Sequence, residues 1–98
     1  MDLTNFVHLS GTVKGEPLVR EIAKGREVAR FTLAVQGETS TIYHSVVAWG
    51  RIANKVRQSI NDGSAVQVDG RQVKRSYVAR NGELRQITEV TLSSFTDN

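Results

Sequence analysis

The stretch Ile42-Tyr43-His44-Ser45-Val46-Val47-Ala48-Trp49-Gly50-Arg51-Ile52-Ala53-Asn54-Lys55-Val56-Arg57-Gln58-Ser59-Ile60-Asn61 changes its periodicity in the middle. Up to Trp49 the side chains alternate. Ile42, His44, Val46 and Ala48 share one side, and Tyr43, Ser45, Val47 and Trp49 share the other, which is the pattern of a strand. From Arg51 to Asn61 the spacing lengthens. Ile52, Val56 and Ile60 fall on one stripe, predicting a helix of about three turns, with Gly63 as its left-handed C-terminal cap.

Outward from this strand–helix junction, period two returns on both sides. Upstream, Val28 to Gln36 is the cleanest strand, with Ala29, Phe31, Leu33 and Val35 on one face and Arg30, Thr32, Ala34 and Gln36 on the other. Gly37 to Thr41 is a short polar loop. Earlier still, Phe6 to Val13 alternates, and Gly11 within it predicts a bulge or sharp coil of the kind a strand needs to serve both halves of a small closed barrel. Glu16-Pro17 reads as a break, Leu18 to Ile22 as renewed extended structure, and Lys24-Gly25 as a turn. Downstream, Ser64 to Gly70 is a strand through Val66 and Val68. Gln72 to Ala79 and Leu84 to Leu92 flank Asn81-Gly82, a strong hairpin signal. Five strands with one helix between the third and fourth is the connectivity of the oligonucleotide-binding barrel, an all-β Greek-key fold.

With 98 residues, the chain predicts one domain, residues 1–98, since two cores would leave each half too little apolar surface. No cysteine is present, so disulfides and thiolate metal sites are excluded. Met1-Asp2-Leu3-Thr4-Asn5 lacks the basic and apolar regions of a signal peptide, and no apolar run reaches the roughly 18 residues of a membrane span. The expectation is a cytoplasmic protein.

Net charge is +3, and its distribution matters more than its size. Residues 1–50 balance five Lys/Arg with five Asp/Glu, whereas residues 71–86 set Arg71, Lys74, Arg75, Arg80 and Arg85 against Glu83 alone. A charge run is commonly just a solvated face, but this one carries an aromatic and a hairpin.

Catalysis finds little support. His8 and His44 sit on strands outside any ligand or acid–base spacing. Asp62 and Asp69 flank the fourth strand as turn and strand-end residues, the serines have no elbow motif, and the glycines form no phosphate cradle. No enzyme activity, cofactor or metal is expected. Binding rests on other residue types: cations along a phosphate track and flat rings on which bases stack. Phe6, Phe31 and Phe95 have core or end-of-sheet explanations. Tyr43, Trp49 and Tyr77 do not. If Ile42, Val46 and Ala48 point inward, Trp49 points outward.

These residues are similar to a known family. Asn5-Phe6-Val7-His8-Leu9-Ser10-Gly11 with Pro17, Val28-Ala29-Arg30-Phe31-Thr32-Leu33-Ala34-Val35, Val46-Val47-Ala48-Trp49-Gly50, Gly63-Ser64, Val68-Asp69-Gly70 and Thr88-Glu89-Val90 together resemble the bacterial single-stranded DNA-binding protein family from about Asn5 to Leu92. The resemblance implies a barrel that assembles into homo-oligomers, commonly tetramers with a dimer as the alternative. It also implies wrapping of single-stranded DNA, associated with the nucleoid, in replication, recombination and repair. It carries stacking roles onto Tyr43, Trp49 and Tyr77, basic contacts onto Arg51 and Arg75, and a subunit-interface role onto His44. Arg71, Lys74, Arg80 and Arg85 join the expected DNA path from their charge and place in the hairpin.

Three departures stand out. The Gly37–Thr41 loop is short and lacks the ring and cations often found there. Ser45 stands where a basic residue is often seen. The sequence ends at Thr96-Asp97-Asn98, without the acidic, phenylalanine-ended tip that recruits replication proteins. Two other readings follow from these: a primosomal replication protein of the same fold acting as a dimeric adaptor, and a protein-interaction module in which Trp49 and Tyr43 form the patch. RNA in place of DNA is open as well, because stacking and phosphate contact do not distinguish the sugars.

Overall fold

Alternating apolar residues and a single helical stripe resolve, in a computed structural model, into β1 (Phe6–Ala23), β2 (Arg26–Gln36), β3 (Thr41–Trp49), α1 (Arg51–Ser59), β4 (Ala65–Val78) and β5 (Leu84–Asp97). The structure describes residues 5–97; the Met1–Thr4 stretch weighed above as a possible leader, and Asn98, lie outside it. The strands close in the order β1-β2-β3-β5-β4, which is the expected five-stranded oligonucleotide-binding barrel with its helix between β3 and β4. All neighbours are antiparallel except β3 and β5, which run parallel over Ser45–Glu89 to Val47–Thr91.

The inward positions fill the barrel as the alternation predicts. Val13, Ala29, Leu33, Val46, Ala48, Val66 and Val68 are at most 1% exposed, and α1 adds Ala53, Val56 and the following Ile60 to the same cluster. Glu27 fixes the helix to β2: its carboxylate accepts from Asn54 Nδ2 at 3.2 Å and pairs with Arg57 Nε at 3.3 Å. Gly50 precedes α1 with φ 65° and ψ −128°, a conformation that favours glycine. There the chain turns sharply between the last residue of β3 and the first of the helix.

Several local expectations change. Glu16-Pro17 does not divide β1. The strand continues through it with a register shift between Lys14 and Leu18, so proline's missing N–H falls where no ladder bond is needed. That shift and a second between Glu21 and Ala23, not Gly11, are the irregularities in the pairing of β1 with β2. Gly11 lies beside the handover from β4 to β2, since Thr12 pairs with both Ala65 and Ala34, and a Cβ at Gly11 would stand 2.3 Å from the Ala34 carbonyl oxygen. Gly63 is not the helix cap. Ile60 closes α1 in extended conformation, its N–H donating to Val56 O at 2.9 Å, and Gly63 instead belongs to the turn that leads into β4. Ala53, off the Ile52–Val56–Ile60 stripe by one step, is buried in place of the half-buried Ile52. Ile42 keeps the inward parity of Val46, yet stands 52% exposed at the rim.

Residues 64–70 and 72–79 form one strand rather than two. β4 crosses Gly70, where a Cβ would meet Thr91 O at 2.3 Å, so the close approach of β5 requires glycine. Opposite it the register slips from Ser94 to Leu92, skipping Ser93, and both Leu92 and Phe95 turn to the core. Past Glu89 the β4–β5 pair leaves β3 behind. Residues 74–78 and 84–88 project as an arm exposed on both faces.

Candidate nucleic-acid interface

Register places the outward side chains of β2, β3, β5 and β4 in rows across one continuous face. Val28 stands opposite Trp49 at one end. Next come Arg30, Val47, Thr91 and Arg71, then Thr32, Ser45, Glu89 and Val73. Ala34 stands opposite Tyr43, Arg75 opposite Ile87, and Tyr77 opposite Arg85 out along the arm. From the β1 side, Leu18 lies against Arg30 and Arg20 against Val28, and Phe6 lies against Arg71.

Trp49, Tyr43 and Tyr77 are 40%, 58% and 47% exposed, all on this face. Burial of Val46 and Ala48 is what turns Trp49 outward. From Tyr43 to Trp49 the strand covers roughly 20 Å, so the two rings stand too far apart to sandwich one flat group.

The cations divide into three groups. Arg71, Arg75 and Arg85 share the face with the rings. Lys74 pairs with Thr88 on the opposite face of the arm, and Arg80 stands in the turn at its tip. Arg51 opens α1 and lines a hollow with Gly25, Arg26, Glu27 and Gly50, directly past Trp49. Arg75 and Arg85 have acidic neighbours, Glu89 at 3.1 Å and Glu83 at 3.7 Å. Among the described residues, no acid lies within ion-pair distance of Arg51, Arg71, Lys74 or Arg80. The arm is therefore not neutralised.

His44 is half-buried on the inward parity of β3, opposite Leu33, and is not part of this face. His8 points outward from β1, its Nδ1 2.5 Å from Asp69 Oδ1, which ties Asp69 to a neighbouring strand instead of leaving it a bare strand end.

Two residues of this face have no expected role from the sequence, Arg30 and Glu89. Arg30 stands on the outer face of β2, paired with Glu89. Glu89 follows the basic segment by only a few residues and is the buried charged group of the described chain, 2% exposed, although its neighbours in register point outward. An acid inside a strand that returns from a cationic arm was the available signal. Phe6, read as an end-of-sheet residue, is 49% exposed beside Arg71.

A family model described as the single-strand binding protein family matches residues 4–96. The Single-stranded DNA-binding protein of Bacillus cereus is 34% identical over 94% of this chain and 58% of its own length. Single-stranded DNA-binding protein 3 of Listeria innocua is 33% identical over 94% of this chain and 62% of its own. For Single-stranded DNA-binding protein 1 of Chlorobaculum tepidum the figures are 32%, 88% and 59%. The chain spans about three-fifths of the length of these curated relatives.

Proposed function

The chain belongs to the single-strand binding protein family, and from that premise we propose that it binds and protects single-stranded DNA without regard to sequence, in replication, recombination and repair. One observation carries the reading: Trp49, Tyr43 and Tyr77 stand 40%, 58% and 47% exposed on a single face that also bears Arg71, Arg75 and Arg85. Every base has a flat face, so rings grip single strands of any sequence, each stacked base contributing roughly 1–3 kcal/mol. The cations Arg51, Arg71, Lys74 and Arg80, which have no acidic partner among the described residues, meet phosphates, and Arg75 and Arg85 line the path. No step of this function breaks or forms a covalent bond.

The family resemblance adds assembly of several copies, a tetramer ahead of a dimer, with His44 at a contact between copies, and a place in the cytoplasm with the nucleoid. Among the described residues no helix is long and apolar enough to cross a membrane. Single-stranded DNA is the principal partner.

Fluorescently labelled oligo-dT, oligo-dC and mixed-sequence strands, titrated separately, test the proposal. Affinities within about tenfold of one another, and weaker binding of the matched duplex, are expected. Failure to bind any single strand at low salt overturns it in favour of a protein-interaction module.

A further inference from the structure

A buried carboxylate at the centre of a surface meant for a polyanion is out of place, because it repels phosphate and gives up its own hydration. Glu89 is such a group, 2% exposed and central to the row Thr32, Ser45, Glu89, Val73. Its contacts explain the placement. Oε2 accepts from Nη1 of Arg30 on β2. Oε1 faces Nε of Arg75 on β4 at 3.1 Å, an ion pair without hydrogen-bond alignment. One acid thus holds two arginines from opposite sides of the face.

Those arginines are 46% and 48% exposed. A guanidinium donates through its edge, while its two flat sides remain free to stack. Pulling either arginine toward a phosphate strips a partner from a buried carboxylate, which is strongly unfavourable. Laying a base on the flat side requires no such separation, and guanidinium planes serve as stacking surfaces for unpaired bases. Arg30 opposes Val47 and Arg75 opposes Ile87, so the two planes fall between the ends marked by Trp49 and Tyr77.

We infer that Glu89 is a positioning residue that holds Arg30 and Arg75 as fixed, flat platforms for bases, and withholds them from phosphate. The inference rests on the proposed binding of single strands by this face, and it separates the surface into a central track for bases and a margin of free cations for the backbone.

The test measures oligo-dT affinity across a range of salt for the wild-type chain, Glu89→Gln, Arg30→Lys and Arg75→Lys. Glu89→Gln frees two cations to reach phosphates. Its plot of log affinity against log salt steepens by about 1.4, at roughly 0.7 per phosphate on single strands, and crosses the wild-type line, tighter at low salt and weaker at high salt. A merely structural role for Glu89 would lower the melting temperature without changing that slope. Arg30→Lys and Arg75→Lys keep the charge opposite Glu89 but lose the plane, so binding at high salt weakens about fivefold or more with the slope unchanged. These two variants alter half-exposed side chains and decide the matter even if Glu89→Gln does not fold. A Glu89→Gln line parallel to wild type, or lysine variants within twofold of wild type at every salt concentration, overturns the inference while leaving the proposed function standing. Wild-type protein that fails to bind at low salt overturns both.

Discussion

Trp49 shows how much one side chain's direction depends on its neighbours. Val46 and Ala48 are fully buried, and strict alternation then sends Trp49 out of the barrel, 40% exposed at the end of β3. Replacing it with alanine is predicted to weaken oligo-dT binding by about 1–3 kcal/mol, roughly 5- to 150-fold, as measured by polarisation of a labelled strand. Trp49→Phe keeps a ring and most of the affinity. Leu33, 0% exposed, belongs to the opposite case. Leu33→Ala is predicted to cost about 2–5 kcal/mol of stability in urea unfolding while leaving the outer face intact. Both directions were legible in the sequence because period two needs no knowledge of partners. Glu89 was not. Alternation assigns it to the outer face, yet it is 2% exposed there, paired with Arg30 from β2 and Arg75 from β4.

At the scale of elements, the strand–helix junction was readable from the shift in periodicity at Gly50, and the barrel connectivity followed from it. Boundaries fared worse wherever a long-range partner decides them. Pro17 interrupts a pattern without ending a strand, because β2 simply skips the bulge. Gly63 has the left-handed φ of 88° that a cap requires, but a glycine after a helix serves equally in the turn that follows. Lys74 lies on the opposite face of the arm from Arg75 and Tyr77, because a one-residue step along a regular stretch of strand changes face. Gly70 does not end a strand but marks the point where β4 and β5 come too close for any Cβ, which would stand 2.3 Å from Thr91 O. Gly70→Ala is predicted to destabilise the barrel by about 1–3 kcal/mol and to lower its melting temperature by circular dichroism. Gly82→Ala, with φ 86° but open space around it, perturbs only the tip of the arm.

For the molecule as a whole, charge placement was more informative than net charge. An excess of +3 by itself describes many proteins, but a +4 segment over residues 71–86 that runs from the barrel out along the arm, on a face with three exposed rings, suits a flexible polyanion. With Arg51, Arg71, Lys74 and Arg80 free of acidic partners among the described residues, log affinity should fall with log salt at a slope near −3, at roughly 0.7 per contact. Two further cations, Arg30 and Arg75, are held back by Glu89 and add nothing to that slope. Assembly, also a property of this scale, is predicted as a tetramer by mass measurement in solution; a dimer favours the adaptor reading.

The emission of Trp49, the sole tryptophan, reports on stacking and on salt dependence together. Titrating oligo-dT at two salt concentrations is predicted to quench that emission at both, with the affinities separated by a slope close to −3. Emission unchanged at saturation, or affinity indifferent to salt, contradicts the account.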